Sequence, residues 1–192
     1  MRNRLKRLLA KHSWIFVQRS RVWAAARRVR RLAAGKLPPN VDRITDQLFV
    51  GGFIDQHDWA ALAAMGVTVD INLQAERADR FGAVPPEAYL WLPTADHTAP
   101  DMRALHTGVA FARAAITQNQ KIFIHCHAGM GRSALLCAAI LVSEGRSAAE
   151  AWQIVKAGRK VANLNIWQRE ALEAFSQEWQ QKQAAALLGE QR

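Results

Sequence analysis

An α/β domain built around a mostly parallel central sheet is predicted by three features of this 192-residue chain. After residue 38, short β-branched and aromatic runs alternate with longer segments of helical periodicity. Residues 122–124 are continuously apolar, which is typical of a strand buried on both faces. Apolar residues make up 50% of the chain, as in globular domains. Alternating strands and helices favour a parallel sheet flanked by helices.

The predicted elements follow one another along the chain. Strand-like segments lie at residues 48–50, 67–73, 89–92 and 122–124. Helical segments lie at residues 55–65, 100–117, 131–143, 147–156 and 167–183. The helix at 131–143 is dense in Ala and Leu, so we expect it to be buried.

A basic extension precedes this domain. Residues 1–36 hold 12 of the 26 Lys and Arg residues and no Asp or Glu, whereas the rest of the chain has a net charge of −2. Apolar residues at helical spacing predict an amphipathic helix over residues 2–34, which Pro38 and Pro39 follow. We therefore assign the basic amphipathic helical extension, the main domain and a C-terminal tail to residues 1–37, 38–183 and 184–192.

Three roles of the extension stay open. Arginines interleaved with Trp14, Phe16 and Trp23 are typical of a helix that lies on an anionic membrane surface through residues 1–34. An Arg-rich, acid-free amphipathic segment also fits a transit peptide. A solvated helix, or one packed on the domain, is the third reading. Nucleic acid is disfavoured as a partner, because no reading motif accompanies the charge.

The two cysteines, Cys126 and Cys137, predict neither a disulfide framework nor a zinc site. A reducing compartment would protect a reactive thiol from oxidation. No stretch approaches the roughly 20 apolar residues of a membrane span. We expect a cytoplasmic protein, peripheral on the inner face of a membrane if the extension binds one, with a mitochondrial location as the alternative. Cys137 lies on the Ala- and Leu-rich helix and is expected to be a small buried residue.

The junction between the apolar strand and the buried helix carries the chemistry. Its glycines allow the backbone to direct several N–H groups toward one point, and the helix N-terminus lies behind that point. An anion-binding loop is therefore predicted. The junction reads His125-Cys126-His127-Ala128-Gly129-Met130-Gly131-Arg132-Ser133, and the expected phosphate-binding residues are His127, Ala128, Gly129, Met130, Gly131 and Arg132.

Cys126 is the candidate nucleophile of this loop, because N–H groups and a helix dipole stabilise a thiolate. Arg132 offers a planar fork that matches two phosphate oxygens. Ser133 can hydrogen-bond the thiolate and ease the departure of sulfur in a second step. His125 can orient the loop through its ring nitrogens.

Phosphoryl transfer also needs an acid for the leaving oxygen. Asp96 is the best candidate, because it follows a predicted strand in a loop that can close over the pocket. Asp101 is a weaker candidate, since a carboxylate at a helix start acts as a cap. A binding module that captures phosphate without turnover is an alternative, and the complete set of Cys126, Arg132 and Asp96 argues against it.

These residues resemble the signature of the protein tyrosine phosphatase superfamily, in its dual-specificity branch. Cys126, Arg132 and Ser133 match it after His125, and the resemblance covers about residues 41–179. It implies a phosphomonoester hydrolase acting on phosphotyrosine, phosphoserine and phosphothreonine in proteins. It also implies two steps: Cys126 forms a cysteinyl-phosphate while Asp96 protonates the leaving group, and water then attacks with Asp96 as base. No metal and no cofactor are implied.

One subgroup is similar to further parts of the chain. Residues 92–100, together with Gln168, Leu172 and Phe175, resemble the mitochondrial-type phosphatases that act on phosphatidylglycerophosphate. That subgroup usually carries basic or polar residues where this loop has His127 and Met130. Because of the resemblance outside the loop, a membrane-associated phospholipid phosphatase is the alternative function.

Overall fold

The structure is a computed structural model that describes residues 39–189, with side chains up to residue 186. The predicted basic extension and the last residues of the tail lie outside the described residues. Within them, every predicted helix and strand is present, with ends shifted by a few residues. The strands are β1 (Val41–Arg43), β2 (Leu48–Gly51), β3 (Val67–Gln74), β4 (Ala88–Thr94) and β5 (Lys121–His125). The helices are α1 (Gln56–Ala64), α2 (Met102–Thr117), α3 (Arg132–Ser143), α4 (Ala148–Gly158) and α5 (Ile166–Gly189).

The five strands form one sheet in the order β1-β2-β5-β3-β4. The pairs β2–β5, β5–β3 and β3–β4 are parallel, which confirms the mostly parallel sheet, and β1 runs antiparallel to β2. β1 was not predicted, because three residues that include a charged pair carry no readable strand pattern. In β5, Ile124 lies between Val50 of β2 and Ile71 of β3, so the strand that leads to Cys126 is central.

The core has two parts, one on each face of the sheet. Successive side chains of β5 point to alternate faces and so belong to different parts. Ile122 and Ile124 join the larger core with α2, α3, α4 and α5, whereas Phe123 joins a smaller core with Trp59 and Leu62 of α1. Every residue of α3 is buried, as its composition predicted. Within residues 39–189, no helix is both long enough and apolar enough to cross a bilayer.

Candidate active site

The predicted loop lies at the carboxyl edge of the sheet, between the end of β5 and the start of α3. In parallel α/β sheets this edge is where ligands bind. Cys126 follows the last residue of β5 and is 2% exposed, and Arg132 is the first residue of α3. Cys126, the candidate nucleophile, therefore lies at the N-terminus of a buried helix, whose partial positive charge favours an anion.

The carbonyl groups of the loop are held away from this point by its neighbours. Phe53 N donates to His127 O at 2.9 Å, and Asn163 N donates to Met130 O at 2.8 Å. When successive carbonyls are bonded on the outside of a turn, their N–H groups are left to face inward. His127 is exposed and Met130 is half-buried, so both side chains lie at the rim of the loop.

Arg159, directly after α4, completes this outer set of contacts. Its side chain is 1% exposed and donates to the carbonyl oxygens of Gly129 and Ala128, the latter at 3.3 Å. The same guanidinium donates to Asn40 Oδ1 at 3.0 Å and to Asp42 Oδ2 at 2.7 Å. Arg159 thus joins the catalytic loop to the β1 edge. No role was predicted for it, because a single Arg in a helical segment gives no signal of burial.

Two positions of the loop require glycine, because neighbouring atoms leave no room for a Cβ. Gly129 has φ of 68°, and a Cβ there would lie 2.3 Å from Gly51 O. A Cβ on Gly131 would lie 2.7 Å from the amide nitrogen of Gln168. Side chains at either position would push the loop away from β2 or α5, so the tight turn depends on glycine.

The thiol of Cys126 is activated by its surroundings. Burial opposes its ionisation, but the Arg132 charge, the Ser133 hydroxyl and the backbone N–H groups of Ser133 and Gly129 outweigh burial and lower the pKa of Cys126. Ser133 Oγ lies 3.4 Å from Cys126 Sγ and 3.4 Å from Gly51 O. The arrangement supports a thiolate nucleophile.

Arg132 is 1% exposed, and its guanidinium is held from several sides. Nη1 donates to Thr94 O at 2.6 Å, and it lies 3.3 Å from Glu76 Oε2. Nη2 lies 2.9 Å from Asp96 Oδ1. Burial works against the charge, yet Cys126, Asp96 and Glu76 together raise the pKa of Arg132. Glu76 and Thr94 were missed in the sequence, since both lie far from the motif along the chain.

Asp96 therefore lies beside the catalytic loop, in the turn after β4. Asn165 Nδ2 donates to His97 O at 2.7 Å, and Gln168 Nε2 donates to Thr98 O at 2.9 Å, so two side chains at the start of α5 hold this turn. Asp101 has a structural role. It is the N-cap of α2, where its carboxylate accepts a hydrogen bond from Ala104 N at 2.7 Å.

His125 lies below the loop in a buried ionic cluster. Its Nε2 is 3.0 Å from Asp79 Oδ2 and 3.4 Å from Asp70 Oδ1. Burial lowers the pKa of His125, but the two carboxylates prevail and raise it to about 10. Burial raises the pKa of Asp70. The three side chains have the donor types of a metal site, but a protonated imidazole already supplies the cation between the carboxylates.

Cys137 is fully buried in α3, as predicted, and burial raises the pKa of its thiol. A buried neutral thiol is a poor nucleophile. Of the two cysteines, only Cys126 has a pKa that its surroundings lower.

The family described as "Dual specificity phosphatase, catalytic domain" matches residues 48–178, a segment that contains the whole loop and the Asp96 turn. The chain belongs to the dual-specificity phosphatase family. It is accordingly a cysteine-dependent phosphatase of the protein-tyrosine and dual-specificity type, as the motif predicted.

Some of the proteins similar to this chain match it over most of their own length. Human dual specificity phosphatase 28 is 34% identical over 156 residues, which cover 77% of this chain and 88% of that protein. The crystal structure of human DUSP28 has a TM-score of 0.66 at 29% identity and covers 75% of this chain and 97% of its own. The crystal structure of PTPMT1 has a TM-score of 0.67 at 25% identity and covers 76% and 99%.

Proposed function

We propose that this phosphatase hydrolyses phosphorylated Tyr, Ser and Thr side chains of proteins through a cysteinyl-phosphate on Cys126. One observation carries the assignment of roles: Cys126, Ser133, Arg132 and Asp96 meet at the carboxyl edge of the sheet. Cys126 Sγ is 3.4 Å from Ser133 Oγ, and the fork of Arg132 is 2.9 Å from Asp96.

In the first step, the phosphate binds to the backbone N–H groups of the loop and accepts two hydrogen bonds from the guanidinium of Arg132. The thiolate of Cys126 attacks phosphorus, and the bond to the leaving oxygen breaks. Asp96, displaced from Arg132 by the phosphate, takes the proton carried by the phosphate monoanion and donates it to that oxygen. Arg132 stabilises the charge that spreads over the equatorial oxygens.

In the second step, water attacks the phosphorus of the cysteinyl-phosphate. Asp96, now a carboxylate, accepts a proton from the water, and the electron pair of the S–P bond returns to Cys126. The Ser133 hydroxyl donates to the departing sulfur, which lowers the cost of releasing a thiolate. Asp96 gives this proton to the phosphate, which leaves, and the Asp96 carboxylate can pair with Arg132 again.

The test is hydrolysis of phosphotyrosine, phosphoserine and phosphothreonine peptides by the full chain, with Arg132→Lys as the matched variant. Lys keeps the charge but loses the fork. We expect kcat/KM to fall by roughly 10²–10³ in the variant, as for removal of one transition-state donor. Turnover that Arg132→Lys leaves unchanged would contradict the role of Arg132.

A phospholipid head group is the second candidate substrate. It is supported by the similarity to PTPMT1 at 25% identity, a protein also solved in complex with PI(5)P, and by the basic extension of residues 1–36. The deciding assay compares phosphatidylglycerophosphate in vesicles with a phosphotyrosine peptide at equal concentration. A higher kcat/KM for the lipid would replace protein phosphorylation as the proposed substrate.

The proposal for the extension is an anionic membrane surface, reached from a reducing compartment such as the cytoplasm. Deleting residues 1–36 should abolish binding to phosphatidylglycerol vesicles and leave aryl-phosphate turnover intact. Vesicle binding that survives the deletion would refute this role. Import of the intact chain into isolated mitochondria would favour a targeting segment instead.

A further inference from the structure

The side chain of His97 lies in the active site and has no part in the chemistry above. His97 directly follows Asp96, and its Nε2 is 3.2 Å from Asp96 Oδ2. Arg132 pairs with the other carboxylate oxygen, Oδ1. The carboxylate of the proposed acid therefore lies between two cationic or donor groups, one from the loop–helix junction and one from its own turn.

The backbone of His97 has an unusual conformation. Its φ is 63°, in the left-handed region that Gly and Asn favour. His97 is the third residue of the turn from Ala95 to Thr98, in which Thr98 N donates to Ala95 O at 3.2 Å. Turns with positive φ at the third position usually have Gly or Asn there. A histidine costs free energy at this position that Gly does not cost, which points to a contribution from its side chain.

The turn itself is held without the imidazole. Asn165 Nδ2 donates to His97 O at 2.7 Å. Gln168 Nε2 donates to Thr98 O at 2.9 Å, and Thr98 Oγ1 donates to Ala95 O at 2.7 Å. None of these hydrogen bonds uses the ring of His97, so a residue that tolerates the same φ would preserve all of them.

The ring gains importance when phosphate binds. Asp96 Oδ1 pairs with Arg132 at 2.9 Å and accepts from His97 N at 3.0 Å. In the proposed reaction the phosphate takes the guanidinium of Arg132, so Asp96 loses its charged partner just when it must meet the leaving oxygen. A displacement of the acid by roughly 1 Å is enough to slow the reaction strongly.

We propose that His97 is a positioning residue for Asp96 in the phosphate-bound state. Its Nε2–H donates to Asp96 Oδ2, and this hydrogen bond keeps Oδ1 directed at the leaving oxygen after Arg132 has turned to the phosphate. The contact of 3.2 Å shortens in that state, as catalytic hydrogen bonds commonly do. The proposal rests on the proposed role of Asp96 as general acid, and it names the side chain that orients this acid.

Two substitutions in the full chain separate the side chain of His97 from its backbone. His97→Asn tolerates the positive φ, but its amide nitrogen lies one atom short of Nε2. His97→Gln places an amide nitrogen as many bonds from the backbone as Nε2, but tolerates that φ less well. For each variant, kcat/KM is measured with phenyl phosphate, whose leaving group needs a proton, and with p-nitrophenyl phosphate, whose leaving group departs readily as an anion.

We expect His97→Asn to lower kcat/KM for phenyl phosphate about tenfold and that for p-nitrophenyl phosphate by less than about twofold, as for one lost hydrogen bond to the acid. His97→Gln should stay within about threefold of the parent with both substrates. Asp96→Asn should lower the phenyl phosphate value by about 10²–10³, again with a smaller loss for p-nitrophenyl phosphate. His57→Asn, at an exposed position of α1, is the control and should change neither value.

The substrate preference separates the possible results. Equal losses with both substrates in His97→Asn would assign His97 to the fold of the turn and overturn the proposal. A loss in His97→Gln that His97→Asn does not share would also overturn it, because the backbone would then be the cause. If Asp96→Asn changes the preference and His97→Asn does not, only the role of His97 is refuted. If Asp96→Asn leaves the preference unchanged, the proposed general acid is itself wrong, and the positioning role falls with it.

Discussion

Arg132 Nη2 lies 2.9 Å from Asp96 Oδ1, so the proposed phosphate clamp and the proposed general acid are paired with each other. Both must separate for catalysis, because the phosphate needs the guanidinium fork and the leaving oxygen needs the carboxyl group. The pairing holds the Asp96 turn over the loop and stabilises the buried Arg132 charge. An entering phosphate replaces one anion by another, so the buried guanidinium is never left without a partner.

Replacing Asp96 by Asn tests this pairing. The variant cannot donate the proton, so kcat should fall by about 10²–10³, most strongly for phosphoserine, whose leaving group is poor. The Arg132 fork is also released, so inorganic phosphate should inhibit at a lower concentration. Both effects are read from steady-state kinetics with phosphate as a competitive inhibitor.

Asp101→Asn is the matched control for that experiment. Asn is also a good N-cap, so α2 and the activity should be retained. A larger loss of kcat in Asp101→Asn than in Asp96→Asn would show that the acid has been misassigned.

Cys126→Ser should lower turnover of p-nitrophenyl phosphate by at least about three orders of magnitude, because a serine hydroxyl is not ionised at neutral pH. The measurement is initial rate at saturating substrate. Cys137→Ala provides the comparison, since that thiol is buried in the core and takes no part in the reaction. Activity of Cys126→Ser within tenfold of the parent would rule out the covalent mechanism.

The lowered pKa of Cys126 predicts a pH dependence. Because the pKa of Cys126 is lowered, the midpoint of alkylation by iodoacetamide should lie below the ordinary cysteine value of about 8.5. Ser133→Ala removes one hydrogen bond to the thiolate and should move that midpoint upward. Ser143→Ala, in the last turn of the same helix, should leave it in place. Identical midpoints in both variants would show that Ser133 does not help to lower the pKa of Cys126.

Arg159→Lys tests whether the outer contacts hold the loop in its binding geometry. Lys cannot bond two carbonyl oxygens, Asn40 and Asp42 at once, so we expect kcat/KM to fall about tenfold and phosphate to bind more weakly, as for one to two lost hydrogen bonds. Circular dichroism checks that the fold is retained. Arg169→Lys, an exposed arginine of α5, is the control. Unchanged phosphate binding in a folded Arg159→Lys protein would contradict the positioning role.

The His125 cluster predicts how stability depends on alkaline pH. The pKa of His125 is raised from 6.5 to about 10, so its contribution is fully present below pH 6.5 and is lost as the pH rises through 10. Urea unfolding at pH 7 and pH 10 should show a fall in the free energy of unfolding that is smaller in His125→Asn. His106→Asn, which is bonded to the partly exposed Glu178, is the comparison. An equal fall in the parent and in His125→Asn would mean that the cluster is not ionised.

Much of the site was predictable because its central residues are consecutive. A buried strand, a glycine turn and an Ala-rich helix have local signatures, so the loop from His125 to Ser133 could be located before its geometry was known. Asp96 was predictable for a related reason: it follows the end of a parallel strand, and such ends meet at one edge of a sheet. The short strand β1 was missed, since three residues carry no usable periodicity.

The sequence by itself predicted the candidate nucleophile, the loop, the candidate acid and the order of strands and helices, because each prediction depends on residue types at short spacing. Only the tertiary structure decided what surrounds them: Glu76 and the Thr94 carbonyl on Arg132, Arg159 behind the loop, and two carboxylates on His125. These contacts join residues 30 to 119 positions apart. Such pairs are selected by packing across the sheet and by the need to satisfy buried charges, and neither leaves a local pattern along the chain.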